Sequence, residues 1–318
     1  MNKFFSPLMT RALPKNRIDL IANPRWDSGM AKLHLRKLRL SKFDKESVAI
    51  VTLPKCGSTL LCYLTALVNT RGTIQNFRND FDLVPMLSFP AKQIAQNFNA
   101  RQGGNYQLYK VNGRLLDIEK SLRETGFARQ IWMSRDFPSY FRSWFSWARD
   151  VVPQMRWQRG YQRYLDWGVF KQRALEKSAQ FHIDELWFAY SQMKEGNDDI
   201  LFLTYEDLTK RKEATIQDLF SWLRIEVDDA MMAAIVQKTT KEAMAKGNRF
   251  DPLTFGDGDG VSKVNLNDHA HQLSSNELEI YESLFRSRFG PEGINSYQEL
   301  VLRFRESRKA CEAAALKS

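Results

Sequence analysis

Residues 54–59, Pro-Lys-Cys-Gly-Ser-Thr, place a cation, a glycine and two hydroxyl groups within six positions. The run at 48–53 before them is apolar and β-branched, which predicts a buried parallel strand. Apolar residues recur at helical spacing over 60–68. A turn that leads from a strand into a helix presents unpaired helix amides to an anion. The stretch therefore predicts an anion site, to which Lys55 adds a full positive charge.

The order of these residues differs from that of the nucleotide loop G-x-x-x-x-G-K-[ST], in which the lysine follows the last glycine. Here Lys55 precedes Gly57, and no glycine upstream opens a wide loop. We also find no acid of the Walker type that would hold Mg²⁺. A kinase-like enzyme with a nucleotide P-loop is therefore the less favoured alternative.

Further polar residues follow other predicted strands. Arg135 comes directly after the apolar segment 128–134, and Ser143 lies eight residues further on, in a predicted helix. The guanidinium of arginine is a planar fork that suits phosphate oxygens, and the serine hydroxyl adds a donor. Taken alone, an arginine and a serine at this spacing are more typical of a solvated face. Tyr205 follows another strand. Ligands of parallel sheets bind outside the carboxyl ends of the strands, so we expect Lys55, Arg135 and Tyr205 close together.

Short apolar strands alternate with helical segments along the chain, which predicts an α/β fold with a central parallel sheet flanked by helices. The chain shows no internal repeat and no low-complexity linker, so we expect a single domain over residues 46–297. A basic arm at 1–45 precedes it, and a charged helical tail at 298–318 follows. The long polar loop at 247–273 is expected to serve the function.

The chain has 318 residues and a formal net charge of +10, which favours an anionic partner. No run of 18 apolar residues occurs, so we expect no transmembrane helix. The three cysteines form no C-x-x-C pattern, which favours a reducing compartment, and we expect a cytoplasmic protein. His269 and His271 have no cysteine near them and make a poor metal pair, so we expect no metal.

The loop at 54–59, with Arg135 and Ser143 about 80 residues later, resembles the phosphosulfate loop and the arginine–serine pair of sulfotransferases that use 3′-phosphoadenosine 5′-phosphosulfate (PAPS). Segments 181–187, 203–223 and 236–244 are similar to further parts of that family. The likeness spans roughly residues 48–290 and is closest to cytosolic-type and bacterial members. It implies PAPS as co-substrate, no metal, and a small-molecule or glycan acceptor rather than nucleic acid.

The resemblance also implies residue roles. In the family, the loop cradles the 5′-phosphate and sulfate, the arginine and serine hold the 3′-phosphate, and a tyrosine and a threonine contact adenine. The implied donor-binding residues are Lys55, Cys56, Gly57, Ser58, Thr59, Leu60, Arg135, Ser143, Tyr205 and Thr239. Lys55 is expected to neutralise the leaving oxygen, with Lys110 assisting at the sulfuryl group. Lys55 and the helix terminus are also expected to acidify the thiol of Cys56.

The chain departs from the family at the base. Asn112 stands where cytosolic members have a histidine after Lys110, and an amide cannot take a proton from a hydroxyl. Other branches use a carboxylate as the base, and Asp80 and Asp82 are candidates for it here. The alternative interpretation, that both are solvated acids of a loop, is at least as well favoured. A non-catalytic relative that binds a nucleotide or polyanion therefore stays open as an alternative.

The donor side departs from the family in three places. Leu60 occupies a position that often carries an aromatic ring, and Lys241 replaces another ring, so the adenine clamp should be weaker. The segment 256–263 is the nearest counterpart of the family's Arg-Lys-Gly segment but lacks that triplet. Arg249 or Lys263 is then a candidate for the missing phosphate charge.

Overall fold

The computed structural model describes residues 47–53, 55–72, 84, 106–127, 129–150, 166–240, 243 and 271–315. Within these ranges, the side chains of Asn112, of residues 147–150 and of residues 309–315 are not described.

Four parallel strands form one sheet in the order β2-β1-β3-β4. They are β1 Ser47–Thr52, β2 Gln107–Asn112, β3 Arg129–Ser134 and β4 Ile200–Thr204. Every residue of β1 and β4 is buried, so packed chain covers both faces of these strands, as their continuous apolar runs predict. The predicted central parallel sheet flanked by helices is confirmed, with strand ends within one residue of those expected for β2 and β3.

The register of the sheet aligns the carboxyl ends of the strands. Thr52 pairs with Asn112 on one side and with Met133 on the other, and Ser134 pairs with Thr204. The residues that follow β1, β3 and β4 therefore emerge at the same edge, where parallel sheets bind their ligands.

Nine helices are described around the sheet, together with a short 3₁₀ turn at Gly290–Glu292. They are α1 Ser58–Asn69, α2 Leu115–Thr125, α3 Phe137–Asp150, α4 Trp167–Lys194, α5 Tyr205–Lys210, α6 Lys212–Leu223, α7 Asp229–Lys238, α8 Ser275–Phe289 and α9 Tyr297–Ala315. Among the helices described, none is long and apolar enough to cross a membrane.

The long helix α4 joins α2 to the sheet through one buried carboxylate. Glu185 Oε1 accepts from the Leu115 amide at 2.6 Å and from Trp132 Nε1 at 2.7 Å, and Oε2 accepts from the Leu116 amide at 3.2 Å. The carboxylate thus occupies the start of α2, where unpaired amides favour an anion. Burial raises the pKa of Glu185 to about 7, against the lowering effect of these donors.

The helix α9 begins at the boundary where we expected the charged tail, and its first half belongs to the core. Leu300, Val301 and Phe304 are buried, and the Phe304 ring stacks on Phe202 of β4. The buried Arg308 reaches from the same helix to the carbonyl of Phe202 at 2.7 Å.

Asp207 is the main partner of the α9 arginines. Arg305 Nε lies 2.8 Å from its Oδ1, and Arg308 donates to its Oδ2 at 3.2 Å. Burial acts to raise the pKa of Asp207, but Arg308 and Arg305 outweigh it and hold the pKa below its usual value. Arg308 also pairs with Asp218 of α6 at 3.1 Å. A charged face of α9 is therefore fixed on the segment that follows β4.

We expect Arg308→Met to lower the free energy of unfolding by roughly 3 kcal/mol, the scale of breaking a buried ion pair. The carbonyl of Phe202 and the carboxylate of Asp218 would then lose their buried partner. Arg303→Met is the matched control on the same helix, because the Arg303–Glu306 pair is exposed and should contribute less than about 1 kcal/mol. Urea denaturation measures both, and equal losses would show that the Arg308 contacts add nothing.

Candidate active site

The loop after β1 is built on two left-handed backbone positions. Lys55 has φ +71° and Gly57 has φ +93°. Gly57 is the N-cap of α1, and the start of this helix carries neither a capping side chain nor an acidic residue in its first turn. The amides of Ser58 and Thr59 therefore remain for an anion, and the helix dipole favours negative charge there.

Gly57 is required by packing as well as by conformation. A Cβ at this position would stand 2.7 Å from Cε2 of Tyr205, and closer still to Cδ2 of the same ring. Carbon atoms that are not bonded to each other do not approach so closely, so any side chain here would displace the ring. The loop after β1 and the start of α5 can meet only because residue 57 has no side chain.

The chemistry expected of Cys56 is wrong. Its thiol is fully buried, and burial raises the pKa well above the ordinary value, with Arg135 opposing the rise only in part. The sequence argument considered the charge of Lys55 and the helix terminus but not the cost of ionising a thiol away from water. The Cys56 amide donates to the Leu53 carbonyl at 3.3 Å, so it is occupied within the loop itself.

Arg135 lies beside this loop, as the sequence predicts. It is 7% exposed, and its Nη1 donates to the Lys55 carbonyl at 3.3 Å. Its guanidinium carbon lies 4.3 Å from the centroid of the Tyr205 ring, which is cation–π distance. In the described part of the chain, its Nε is buried without a hydrogen-bond partner. The structure thus brings together Lys55, Gly57, Arg135 and Tyr205, and leaves a buried donor on Arg135 for a ligand.

Tyr205 is held by a capping box at the start of α5. Asp207 Oδ2 accepts from the Thr204 amide at 3.1 Å, and Thr204 Oγ1 accepts from the Asp207 amide at 3.2 Å. Because Asp207 is also bound by Arg305 and Arg308 of α9, the position of Tyr205 depends on the packing of α9 against this segment. Sequence reasoning missed both arginines, since only the tertiary structure shows which charges on α9 face inward.

Two neighbouring carboxyl groups, those of Asp136 and Glu206, follow Arg135 and Tyr205 in the chain. Burial raises the pKa of Glu206, and the neighbouring carboxyl of Asp136 raises it further. Tyr297 of α9 donates to Glu206 Oε2 at 3.4 Å, and its hydroxyl lies 3.0 Å from Ser134 Oγ. Asp136 also accepts from the Ser139 amide at 2.9 Å and so starts α3. This acidic pair supports the two loops, since Asp136 directly follows Arg135 and Glu206 directly follows Tyr205.

Ser143 lies in the second turn of α3 and is buried. Five aromatic residues of this helix are packed in the core: Phe137, Tyr140, Phe141, Trp144 and Phe145. At 100° per residue, Ser143 falls outside that aromatic face. No described contact joins Ser143 to Arg135, so their common role on one phosphate stays a prediction.

Lys110 and Asn112 lie on β2 at the edge beside the loop. Lys110 is buried and pairs with Ile50, whereas Asn112 ends the strand opposite Thr52. The Gly113 amide donates to the Thr52 carbonyl at 2.9 Å, so β2 stays joined to β1 up to the loop.

The contacts described for Leu60 and Thr239 are to the core and to the backbone of a helix. Leu60, in the first turn of α1, packs partly against the core. The buried Thr239 hydroxyl donates back to the carbonyls of its own helix α7, at 3.0 Å to Ile235 and 3.1 Å to Val236. Lys238 donates to the Gly72 carbonyl, just beyond the far end of α1. The adenine contact of Thr239 therefore stays a prediction, without support from the contacts described.

Several candidates lie outside the described residues, including both possible carboxylate bases. They are Asp80, Asp82, Lys241, Arg249, Lys263 and His269. Among the described residues, no group of three or more His, Cys, Asp or Glu side chains is arranged to hold a metal ion. His271 packs against the rings of Phe145 and Trp167.

We expect Gly57→Ala to lower the free energy of unfolding by about 3 kcal/mol, because left-handed strain and a steric clash add. Gly196→Ala is the matched control. Gly196 also has a left-handed backbone, at φ +70°, but an added Cβ would meet nothing within 4 Å. It should cost only about 1 kcal/mol. Urea unfolding of the two variants separates strain from clash, and equal losses would contradict close packing against Tyr205.

Two solved structures that share this fold were determined in complex with PAP. A mouse sulfotransferase, SULT7A1, complexed with PAP, aligns with a TM-score of 0.58 and 17% identity, over 86% of this chain and 93% of that one. A retinol dehydratase in complex with androsterone and PAP aligns with a TM-score of 0.53 and 12% identity, over 84% and 88% of the two chains. At these identities the likeness shows the fold.

The sequence comparisons identify the family. Sulfotransferase 1B1 of the dog, Canis lupus familiaris, is 21% identical over 208 residues, which cover 63% of this chain and 66% of that protein. The model of the sulfotransferase domain family matches residues 45–291, which include every strand and the whole Lys55–Gly57–Arg135–Tyr205 cluster. The chain therefore belongs to the sulfotransferase domain family.

Proposed function

We propose that this protein transfers a sulfuryl group from PAPS to an acceptor hydroxyl or amine. The observation that carries the proposal is the meeting of the uncapped start of α1 with the Arg135–Tyr205 pair at one edge of the sheet. One part offers helix amides to an anion, and the other offers a guanidinium with a buried unpaired donor. PAPS carries an anionic group at each end of its ribose. Two structural neighbours were solved with PAP, the desulfated form of this donor.

The proposed reaction is an in-line displacement at sulfur. The acceptor oxygen or nitrogen forms a bond to sulfur while the bond from sulfur to the bridging phosphate oxygen breaks. The electron pair of that bond leaves with adenosine 3′,5′-bisphosphate (PAP). Negative charge grows on the bridging and sulfonyl oxygens, so donors already in place at those atoms are the main catalytic contribution.

Each residue near the loop then has a proposed role. Lys55 neutralises the leaving oxygen, and Lys110 assists at the sulfuryl group from the neighbouring strand. The amides of Gly57, Ser58 and Thr59, with the two hydroxyls, bind the 5′-phosphate. A sulfuryl group carries less charge than a phosphoryl group, so these cations and amides suffice to offset it.

The 3′-phosphate and the adenine are assigned to the other side of the cluster. Arg135 and Ser143 are proposed to bind the 3′-phosphate, and Tyr205 to contact adenine with Thr239. Leu60 lies at the same helix start without offering a ring. The support is strongest for Arg135, because its guanidinium is already fixed between the Lys55 carbonyl and Tyr205 before any ligand binds.

The acceptor side and its base are less defined by the contacts described. Asn112 cannot take the acceptor's proton, so a carboxylate such as Asp80 or Asp82 is the proposed base. We propose a small-molecule or glycan acceptor. A cytoplasmic location is also proposed, supported by the free buried thiol of Cys56, which suits a reducing compartment.

We expect Lys55→Ala to lower kcat for sulfuryl transfer from PAPS by about 10²-fold or more, the scale of losing one oxyanion donor. Arg135→Lys keeps the charge but loses the fork, so it should mainly raise KM for PAPS. Arg286→Lys, on an exposed face of α8, is the control and should change neither constant. Wild-type kinetics in both site variants would refute these roles.

The identity of Asn112 favours a second candidate, a non-catalytic relative that binds the same nucleotide. A thermal shift with PAP, compared with ATP and Mg²⁺, first separates both from a kinase-like enzyme. Stabilisation by PAP with no transfer from PAPS to any of a panel of phenols, alcohols, amines and sugars would favour the binding module. Stabilisation by ATP with Mg²⁺ alone would favour the kinase-like alternative.

A further inference from the structure

His182, in the middle of α4, lies fully buried against the loop that carries Arg135. Its Nε2 is 2.8 Å from the Arg135 carbonyl oxygen, and its Nδ1 is 3.1 Å from the Tyr281 hydroxyl of α8. The ring is 1% exposed. No local feature of the sequence marks residues 135 and 281 as its partners.

The partners of His182 determine where its proton lies. A carbonyl oxygen only accepts, so Nε2 must carry the hydrogen and donate it to Arg135. In a neutral ring Nδ1 is then an acceptor, and the Tyr281 hydroxyl donates to it. Burial lowers the pKa of His182 to about 4, so the ring is neutral at pH 7. Both ring nitrogens are thus satisfied in one tautomer.

Aromatic packing restricts the position of this hydrogen-bonded group. The Tyr281 ring stacks on Phe137 with centroids 4.4 Å apart and an interplanar angle of 2°. Phe137 begins α3, two residues after Arg135, and its ring also lies 5.6 Å from that of His182. The loop between β3 and α3 is therefore held at its carbonyl by His182 and at its first helical residue by Tyr281.

Arg135 stands between β3 and α3, and its position depends on this restraint. Among the described residues, its side chain bonds to one backbone carbonyl, that of Lys55, and lies over one ring, that of Tyr205. A displacement of the backbone at Arg135 would carry its side chain away from both. The His182 hydrogen bond opposes that displacement, since it holds the backbone carbonyl of the same residue.

We propose that His182 is a positioning residue for donor binding, which presets the Arg135 guanidinium for the 3′-phosphate of PAPS without touching the ligand. Tyr281 completes the relay by donating its hydroxyl hydrogen to Nδ1 of the same ring. The proposal rests on the proposed function, because it assigns the donor's phosphate to Arg135. A residue of this kind acts on donor affinity more than on the chemical step, since the sulfuryl group is bound at Lys55 on the other side of the cluster.

Two substitutions at one position test the relay. His182→Gln retains an amide N–H that can reach the Arg135 carbonyl, whereas His182→Leu removes the donor. We expect His182→Leu to weaken PAP binding, measured by calorimetry, by about tenfold or more, the scale of a small misplacement at a binding group. His182→Gln should stay within about threefold of the wild type, as a rescue by a retained hydrogen bond. At saturating PAPS, kcat should change little in either variant.

A pair of tyrosine variants covers the case in which His182→Leu does not fold. Tyr281→Phe keeps the stack on Phe137 but removes the hydroxyl that donates to His182. Tyr190→Phe is the matched control, because Tyr190 lies on α4 and its hydroxyl bonds to Glu292 rather than to His182. PAP binding should weaken by about threefold or more in Tyr281→Phe, the scale of one hydrogen bond, and be unchanged in Tyr190→Phe.

The outcomes separate this proposal from the proposed function. If folded His182→Leu and Tyr281→Phe bind PAP as the wild type does, while Arg135→Lys does not, the relay is refuted and the donor assignment stands. If the wild-type protein binds no PAP, both fall together. Nitrogen-15 NMR of the imidazole at pH 7 is an independent check, because a hydrogen on Nδ1 instead of Nε2 would contradict the relay.

Discussion

The ring of Tyr205 fills the space in which a Cβ of residue 57 would stand, and the left-handed backbone of Gly57 turns the chain from β1 into α1 at that point. This contact brings the ends of β1 and β4 together. On the same ring lies the guanidinium of Arg135, which follows β3. Three strand ends are thus joined through one aromatic ring, and the uncapped amides of α1 open toward the same place. In the described part of the chain, the uncapped amides of α1 and the buried Nε of Arg135 are the unpaired donors on which the proposed anion site rests.

The residues that face the ligand site are held by residues from distant parts of the chain. Arg135 is held by His182 of α4, and Tyr205 by a capping box whose aspartate is bound by the arginines of α9. Burying such polar groups is costly unless each is paired. The shifted pKa values of His182, Glu185 and Asp207 record that cost and its compensation. The result is a site whose cation and ring are fixed before a ligand arrives.

The local pattern of the sequence was sufficient to predict the sheet, the main helices and the loop in which Lys55 precedes Gly57. Each of these depends on residues close together in the chain, such as the apolar run before Lys55 and the helical spacing after it. The adjacency of Lys55, Arg135 and Tyr205 also followed, because parallel strands end at one edge. The remaining features depend on packing. Cys56 was given the wrong acidity because burial outweighs a neighbouring charge.

Long-range pairing explains what else the sequence did not reveal. The buried residues 300, 301 and 304 of α9 are spread among charged residues. The sequence therefore predicts a charged tail here, and only the contact with β4 shows that the helix belongs to the core. His182 bonds to Arg135 and Tyr281, which lie 47 and 99 positions away from it along the chain. No periodicity links such positions, and a single sequence contains no signal that would.

The central claim is that this site binds one nucleotide through two separate phosphates, one at the α1 loop and one at Arg135. Calorimetric titration of the wild-type protein with PAP and with adenosine 5′-monophosphate tests it directly, since the two ligands differ only in the 3′-phosphate. A charge-assisted contact to that phosphate contributes about 1.5–3 kcal/mol, so PAP should bind at least about tenfold more tightly. Equal affinity for the two nucleotides would contradict the claim.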